Sequence, residues 1–234
     1  MVPGRRDQLA ASLAEVRERI ARACASAGRP AGQVTLVAVT KTYPASDVVL
    51  LSELGVTDVG ENRDQEAAPK ALAAAAGGAK VRWHFVGQLQ RNKAKSVAAY
   101  ADVVESVDSA RLAEALDRAA VLRAGPLSVL IQVSIDGDPA RGGTVGDDLW
   151  RVSDTVAAAG HLRLRGLMAV APMDWDPDRA FERLAGLSER LVKAHPEAAA
   201  ISAGMSGDLE AAVRHGATHV RIGTSLLGMR NQLR

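Results

Sequence analysis

A lysine that follows directly on six mostly apolar residues is the first candidate for chemistry in this chain, VTLVAV at 34–39 running into Thr40-Lys41-Thr42. A four-carbon stem in that place is packed by its apolar neighbours, with the ammonium held at the edge of the core. Partial desolvation of this kind favours a neutral amine, and a neutral amine is what adds to an aldehyde to form an imine. A lysine can also lay its stem on the surface and simply reach water, so position alone leaves both readings open.

A second set of candidates lies near the end of the sequence, in Gly204-Met205-Ser206-Gly207 and Gly223-Thr224-Ser225. Ser206 is expected to be the N-cap of a helix whose apolar positions are Leu209, Ala212 and Val213 and whose stop is Gly216. Outward-pointing amides and a serine hydroxyl at a helix start make an anion site. Gly223 permits close backbone approach, and Thr224 offers an amide and a hydroxyl before a short terminal helix. Either motif alone is explained by ordinary capping; the two together point to a bound anion, although Asp208 mildly opposes one. Arg221, two residues before Gly223, shares its face if the strand is regular. A buried arginine needs a partner, which could be a carboxylate such as Glu61 or a ring nitrogen of a bound cofactor. Asn62 reads as a helix cap or a ligand, and His84, between Trp83 and Phe85, as a core histidine or a ligand. His161, His195, His215 and His219 form no metal spacing with Cys24 or with a carboxylate pair, and phosphate-loop and dinucleotide fingerprints are absent.

These residues have to be positioned by something, and the hydrophobic periodicity says what. Apolar runs at 34–39, 58–59, 83–86, 103–106, 128–134, 164–168, 200–202 and 220–222 lack polar alternation, as expected for strands buried on both faces. Helical patterns at 46–54, 64–76, 91–100, 110–123, 147–159, 177–193 and 208–214 lie between them, after a leading helix over 7–27 with Leu9, Leu13, Val16, Ile20 and Ala23 on one face. Strict alternation specifies a parallel sheet with helical crossovers, and eight units favour a closed (β/α)8 barrel over an open doubly wound sheet. Pro69 is expected to sit in the first turn of its helix or to break it. In such a barrel the working residues lie at the C-terminal ends of the strands, where Lys41, Asn62, Met168, Met205, Ser206, Gly223 and Thr224 all fall.

Bulk composition agrees with one soluble domain over residues 1–234, 47% hydrophobic and 24% charged, without a linker or charge run. The net charge of +2 comes from interspersed residues, and there are only three tryptophans, two tyrosines and two phenylalanines, so a nucleic-acid surface is not expected. A single cysteine, Cys24, precludes an internal disulfide, and the N-terminal sequence has no long apolar stretch; a cytoplasmic protein is expected, with no membrane association.

VAVTKTYP around Lys41, VGENRDQE at 59–66, WHFVGQLQRNK at 83–93, GLMAV at 166–170 and SAGMSGDLEAAVRHGATHVRIGTSLLG at 202–228 resemble the pyridoxal phosphate homeostasis protein family over nearly the whole chain. The resemblance implies a barrel similar to the N-terminal domain of alanine racemase, standing alone, with pyridoxal 5′-phosphate (PLP) at its mouth as a Schiff base on Lys41. It implies that Ser206, Gly223 and Thr224 hold the phosphate, that Arg221 faces the pyridine nitrogen, and that Asn62, His84, Met168 and Met205 line the pocket. The expected state is a monomer, with PLP-dependent apo-enzymes as expected partners. The chain departs from the family in the polar segment 133–143 and in Arg63-Asp64, where a more apolar or aromatic pair is expected.

Carbanion chemistry on PLP usually relies on a protonated ring nitrogen with an acidic partner. Arginine stays protonated and donates a hydrogen bond instead, leaving a weaker electron sink. A racemase also needs a second base on the opposite face of the substrate, and neither Tyr43, expected to pack in a loop, nor Tyr100 is an evident candidate. The expectation is therefore a PLP-binding and PLP-supply protein without robust turnover. The alternatives are a weakly active PLP-dependent racemase or related enzyme and, more distantly, a cofactor-free lysine aldolase.

Overall fold

The computed structural model describes residues 4–228. The apolar runs become β1 (Thr35–Val39), β2 (Asp58–Glu61), β3 (Arg82–Phe85), β4 (Val103–Val107), β5 (Leu127–Gln132), β6 (Leu162–Met168), β7 (Ala200–Ser202) and β8 (His219–Ile222). All neighbours pair in parallel, in sequence order, and β8 closes back on β1 through Ala38 opposite Ile222, which makes the expected barrel. Around it stand α1 (Arg5–Ser26), α2 (Ala45–Glu53), α3 (Asp64–Ala76), α4 (Ala94–Tyr100), α5 (Ala110–Ala120), α6 (Asp148–Ala158), α7 (Pro177–Ala194), α8 (Leu209–Arg214) and the single turn α9 (Thr224–Leu227). Among the described residues no helix is long and apolar enough to cross a membrane.

Pleating sorts the side chains. Val104 and Val129 face the helices and join the larger apolar core, whereas Val103 and Leu130, one residue away, turn to the opposite face and pack with Met168 inside the barrel. The lumen otherwise carries polar groups from β2, β3, β4, β7 and β8. Gly166 has φ +148°, and a Cβ there would stand 1.8 Å from the Ala200 carbonyl oxygen, so only glycine lets β6 and β7 approach this closely. The buried stripe of α1 is Leu9, Leu13, Val16, Ile20, Ala23 and Cys24.

Three expectations are corrected. Pro69 neither starts nor breaks its helix: it is the sixth residue of α3, which runs unbroken to Ala76 with Ala67, Lys70, Ala71 and Ala74 buried against the rest of the protein. Tertiary burial of that face outweighs the hydrogen bond the proline cannot donate. The helix expected over 91–100 begins as a 3-10 turn at Arg91–Lys93 before α4. Ser206 is not an N-cap. The residue flanking α8 is Asp208, whose carboxylate accepts from the Met205 amide at 2.6 Å, leaving Ser206 and Gly207 in the preceding turn.

Candidate functional site

Strands β7, β8 and β1 are consecutive around the barrel, so the turns at their C-terminal ends stand side by side. The Arg221 amide donates to the Gly204 carbonyl at 2.9 Å, and Gly223 lies against Val39, where a Cβ would come 3.5 Å from the Val39 carbonyl oxygen. Val37 pairs with Arg221, a lumen residue, and continuing the pleat through Val39 carries Lys41 to the same side at the rim. Lys41 is half-buried, and among the described residues its ammonium has neither a hydrogen bond nor an ion pair. Its turn is unusual in its backbone, because Thr42 has φ +69°, while the Tyr43 amide donates to the Thr40 carbonyl at 3.0 Å. Tyr43 packs in this loop, its hydroxyl donating to the Gly228 carbonyl at 2.7 Å beneath the guanidinium of Arg5.

Facing this amine are the two glycine-rich turns. Among the described residues the amides of Ser206, Gly207, Thr224 and Ser225 donate to no protein acceptor, whereas Leu226 and Leu227 both donate to the Gly223 carbonyl. The first of these turns is tied to α1 by Arg19, which donates to the Ser206 carbonyl at 2.7 Å and forms a bidentate pair with Glu210. Met205 is partly exposed on it.

Arg221 is buried beneath the rim. It donates to Ser202 Oγ at 2.7 Å and to the Ala169 carbonyl at 2.8 Å, and its carboxylate partner is Glu105, at 3.9 Å, not Glu61. Glu105 accepts from Ser202 at 2.6 Å and from His84 Nδ1 at 2.6 Å, while His84 Nε2 bonds Asp58 at 2.9 Å. Burial disfavours the imidazolium, but the hydrogen bonds and charges of Asp58 and Glu105 overcome this and raise His84 to about 9. Burial alone would also raise Glu105; the His84 hydrogen bond and the His84 and Arg221 charges hold it at about 2. Burial lowers Arg221 from its ordinary value, opposed by Glu105. Two cations and two carboxylates therefore balance in one chain of contacts across the lumen, and both nitrogens of His84 are spent within it.

Of the residues expected from sequence, the structure brings Lys41, Gly223, Thr224 and Ser206 to one sector of the rim, with Arg221 buried beneath it. Met168 is enclosed in the lumen with Val103 and Leu130. Asn62 does not cap α3, whose flanking residue is Arg63; its backbone lies so close to Gly87 that a Cβ there would stand 2.1 Å from the Asn62 carbonyl oxygen. Glu105, Ser202 and Asp58 were not expected. The signal for Glu105 is a charged residue in the centre of the apolar run VVESV. Segment 133–143 is internally bonded through Ser134, Asp136 and Arg141, and Arg63 pairs with Glu66 on the surface.

An uncommitted amine, four unpaired amides with neighbouring hydroxyls, and a buried guanidinium make a donor set for a molecule with an aldehyde at one end, an anion at the other and an acceptor between. Gly60 on β2 and Gly223 directly after β8 flank Val39; a Cβ at Gly60 would press on Val37 and Val39 at 3.2 and 3.4 Å, so the wall beside Lys41 is kept low. These features fit PLP.

The chain is 47% identical to the pyridoxal phosphate homeostasis protein of Mycobacterium tuberculosis over 247 residues, covering 97% of this chain and 95% of that one. Among solved structures it resembles an unknown protein from Bifidobacterium adolescentis, with 32% identity, a TM-score of 0.87 and 97% of each chain covered. It also resembles PipY of Synechococcus elongatus, solved with PLP bound, with 32% identity and a TM-score of 0.82, over 94% of this chain and 100% of that one. The sequence pattern of the alanine racemase N-terminal domain matches residues 11–231, and with these likenesses the chain belongs to the pyridoxal phosphate homeostasis protein family, built on the alanine racemase N-terminal barrel.

Proposed function

We propose that this protein binds PLP at the barrel mouth through Lys41 and serves the supply of PLP within the cytoplasm, without robust turnover. The observation that carries the reading is the juxtaposition of the turns after β7, β8 and β1, which sets an unpaired amine beside two turns with unpaired amides. PLP supplies an aldehyde for the amine, a ring nitrogen that accepts a hydrogen bond, and a phosphate.

Lys41 holds the aldehyde end. Ser206, Gly223 and Thr224 hold the phosphate through amides and hydroxyls that have no protein acceptor to lose. Arg221 keeps its proton and donates toward the ring nitrogen, and Glu105, which could have supplied an acid, is engaged by His84 and Ser202. Asn62 and Met205 stand at the rim and Met168 closes the floor. Tyr43, with its hydroxyl committed to Gly228, and Tyr100, enclosed and pushed up by burial, are poorly placed as the second base that racemisation requires. PLP-dependent apo-enzymes are the proposed recipients, and a monomer the proposed state.

Purified protein mixed with PLP should gain a visible absorption band that borohydride removes, with peptide mapping finding the pyridoxyl group on Lys41. Label on another lysine, or none, contradicts the site. Steady racemisation of L-alanine at enzyme-like rates, lost in Lys41→Ala, contradicts the supply role.

A further inference from the structure

Beside the cofactor sector, on the outer face of the barrel, a buried charged pair has no part in the contacts just assigned. Glu61, fully enclosed at the end of β2, accepts from Lys70 Nζ at 2.7 Å and from Thr40 Oγ1 at 2.7 Å. Lys70, nine-tenths buried on α3, also donates to the carbonyl oxygen of Thr40 at 2.8 Å. The second oxygen of Glu61 has no partner among the described residues, so Lys70 supplies its neutralising charge. Burying two charges costs free energy that their attraction only partly returns, and an apolar pair would fill the same space without that cost.

What the pair grips is the peptide leading into Lys41. The Thr40 carbonyl takes a second hydrogen bond from the Tyr43 amide, and the Thr40 amide is fixed to the Gly60 carbonyl at 3.0 Å. Within this turn Thr42 is the only non-glycine residue of positive φ among those described, at +69°. A β-branched residue there is strained, and such a conformation persists only where its surroundings over-determine it.

We propose that Glu61 and Lys70 are positioning residues for Lys41: by clamping Thr40 on both its carbonyl and its hydroxyl, they hold the strained turn that aims the amine across the barrel rim. This rests on the reading that Lys41 takes the aldehyde of PLP.

The test compares two ligands that differ only where Lys41 reacts. PLP carries the aldehyde; pyridoxine 5′-phosphate carries an alcohol, occupies the same phosphate and ring contacts, and forms no imine. Lys70→Met combined with Glu61→Gln removes both charges together and retains an oxygen to accept from Thr40. In this variant the dissociation constant for PLP should rise about tenfold, the size of one lost charged hydrogen bond transmitted to the imine, while that for pyridoxine 5′-phosphate stays within twofold of wild type, a change of about 0.4 kcal/mol at most. Equal loosening of both ligands means a merely structural role and overturns the proposal, as does unchanged PLP affinity. If the double variant does not fold by circular dichroism, Thr40→Val removes only the hydroxyl bond to Glu61 and is held to the same ratio. Wild-type protein reduced with borohydride separates the two failures: no pyridoxyl group on Lys41 defeats the binding reading itself, whereas label on Lys41 with an unchanged ratio defeats only the positioning role.

Discussion

Ser206 and Thr224 carry the two hydroxyls proposed to donate to the phosphate. Each has an amide and a hydroxyl with no protein acceptor among the described residues, so each would donate to a charged oxygen without giving up another bond. A hydrogen bond to a charged group contributes roughly 1.5–3 kcal/mol, so Ser206→Ala and Thr224→Ala should each weaken PLP retention by about tenfold or more. Equilibrium dialysis checks this, and unchanged affinity in both variants would mean that the phosphate is held elsewhere. Sequence alone pointed to these two residues because small residues after two consecutive strands are legible as a pattern. It misjudged the manner: Ser206 was expected to cap α8, but Asp208 takes that position because its carboxylate reaches back to the Met205 amide.

Among the elements, α3 does most to fix the site from outside, since it carries Lys70 and begins two residues after Asn62. Pro69 weakens it from within, leaving the Gln65 carbonyl without its i+4 donor and crowding it with the pyrrolidine ring. Proline in a helix interior costs about 3 kcal/mol relative to alanine, of which roughly 1 kcal/mol is returned by its restriction of the unfolded chain. Pro69→Ala should therefore stabilise the protein by about 1–2 kcal/mol, read as a higher urea midpoint at constant slope. A lower midpoint would show that the proline ring packs in a way its helical position does not reveal. The helix boundaries were legible from periodicity to within a few residues, but a local rule could not foresee that burial of one face carries the helix through its proline.

Across the whole molecule, the lumen network ties β2 to β8 through Asp58, His84, Glu105, Ser202 and Arg221. Its pH dependence has a definite sign. His84 is raised to about 9 in the folded protein from an ordinary 6.5, so its stabilising contribution is complete below pH 6.5 and disappears as pH rises through 9. Glu105 is lowered to about 2 from 4.5, so its contribution is complete above pH 4.5 and disappears as pH falls through 2. Between pH 6.5 and 9.5 wild-type protein should lose on the order of 3 kcal/mol through His84, a slope that His84→Gln should flatten. Denaturant midpoints measured at both pH values decide this, and equal losses in the two proteins would show that His84 is not held as an imidazolium.

The sequence by itself determined the barrel, the strand and helix alternation, and the amine and small-residue turns at strand ends, because these depend on hydrophobic period and on residue types a few positions apart. It did not determine the partners of Arg221, the bridging of Glu105 and Asp58 by His84, or the clamp on Thr40. Those contacts join residues 9 to 116 positions apart, and which of them meet is set by strand register and barrel closure. Only the tertiary structure decided that Glu61 faces α3 and Glu105 the lumen, since one step of the pleat sends a carboxylate to either side of the same sheet.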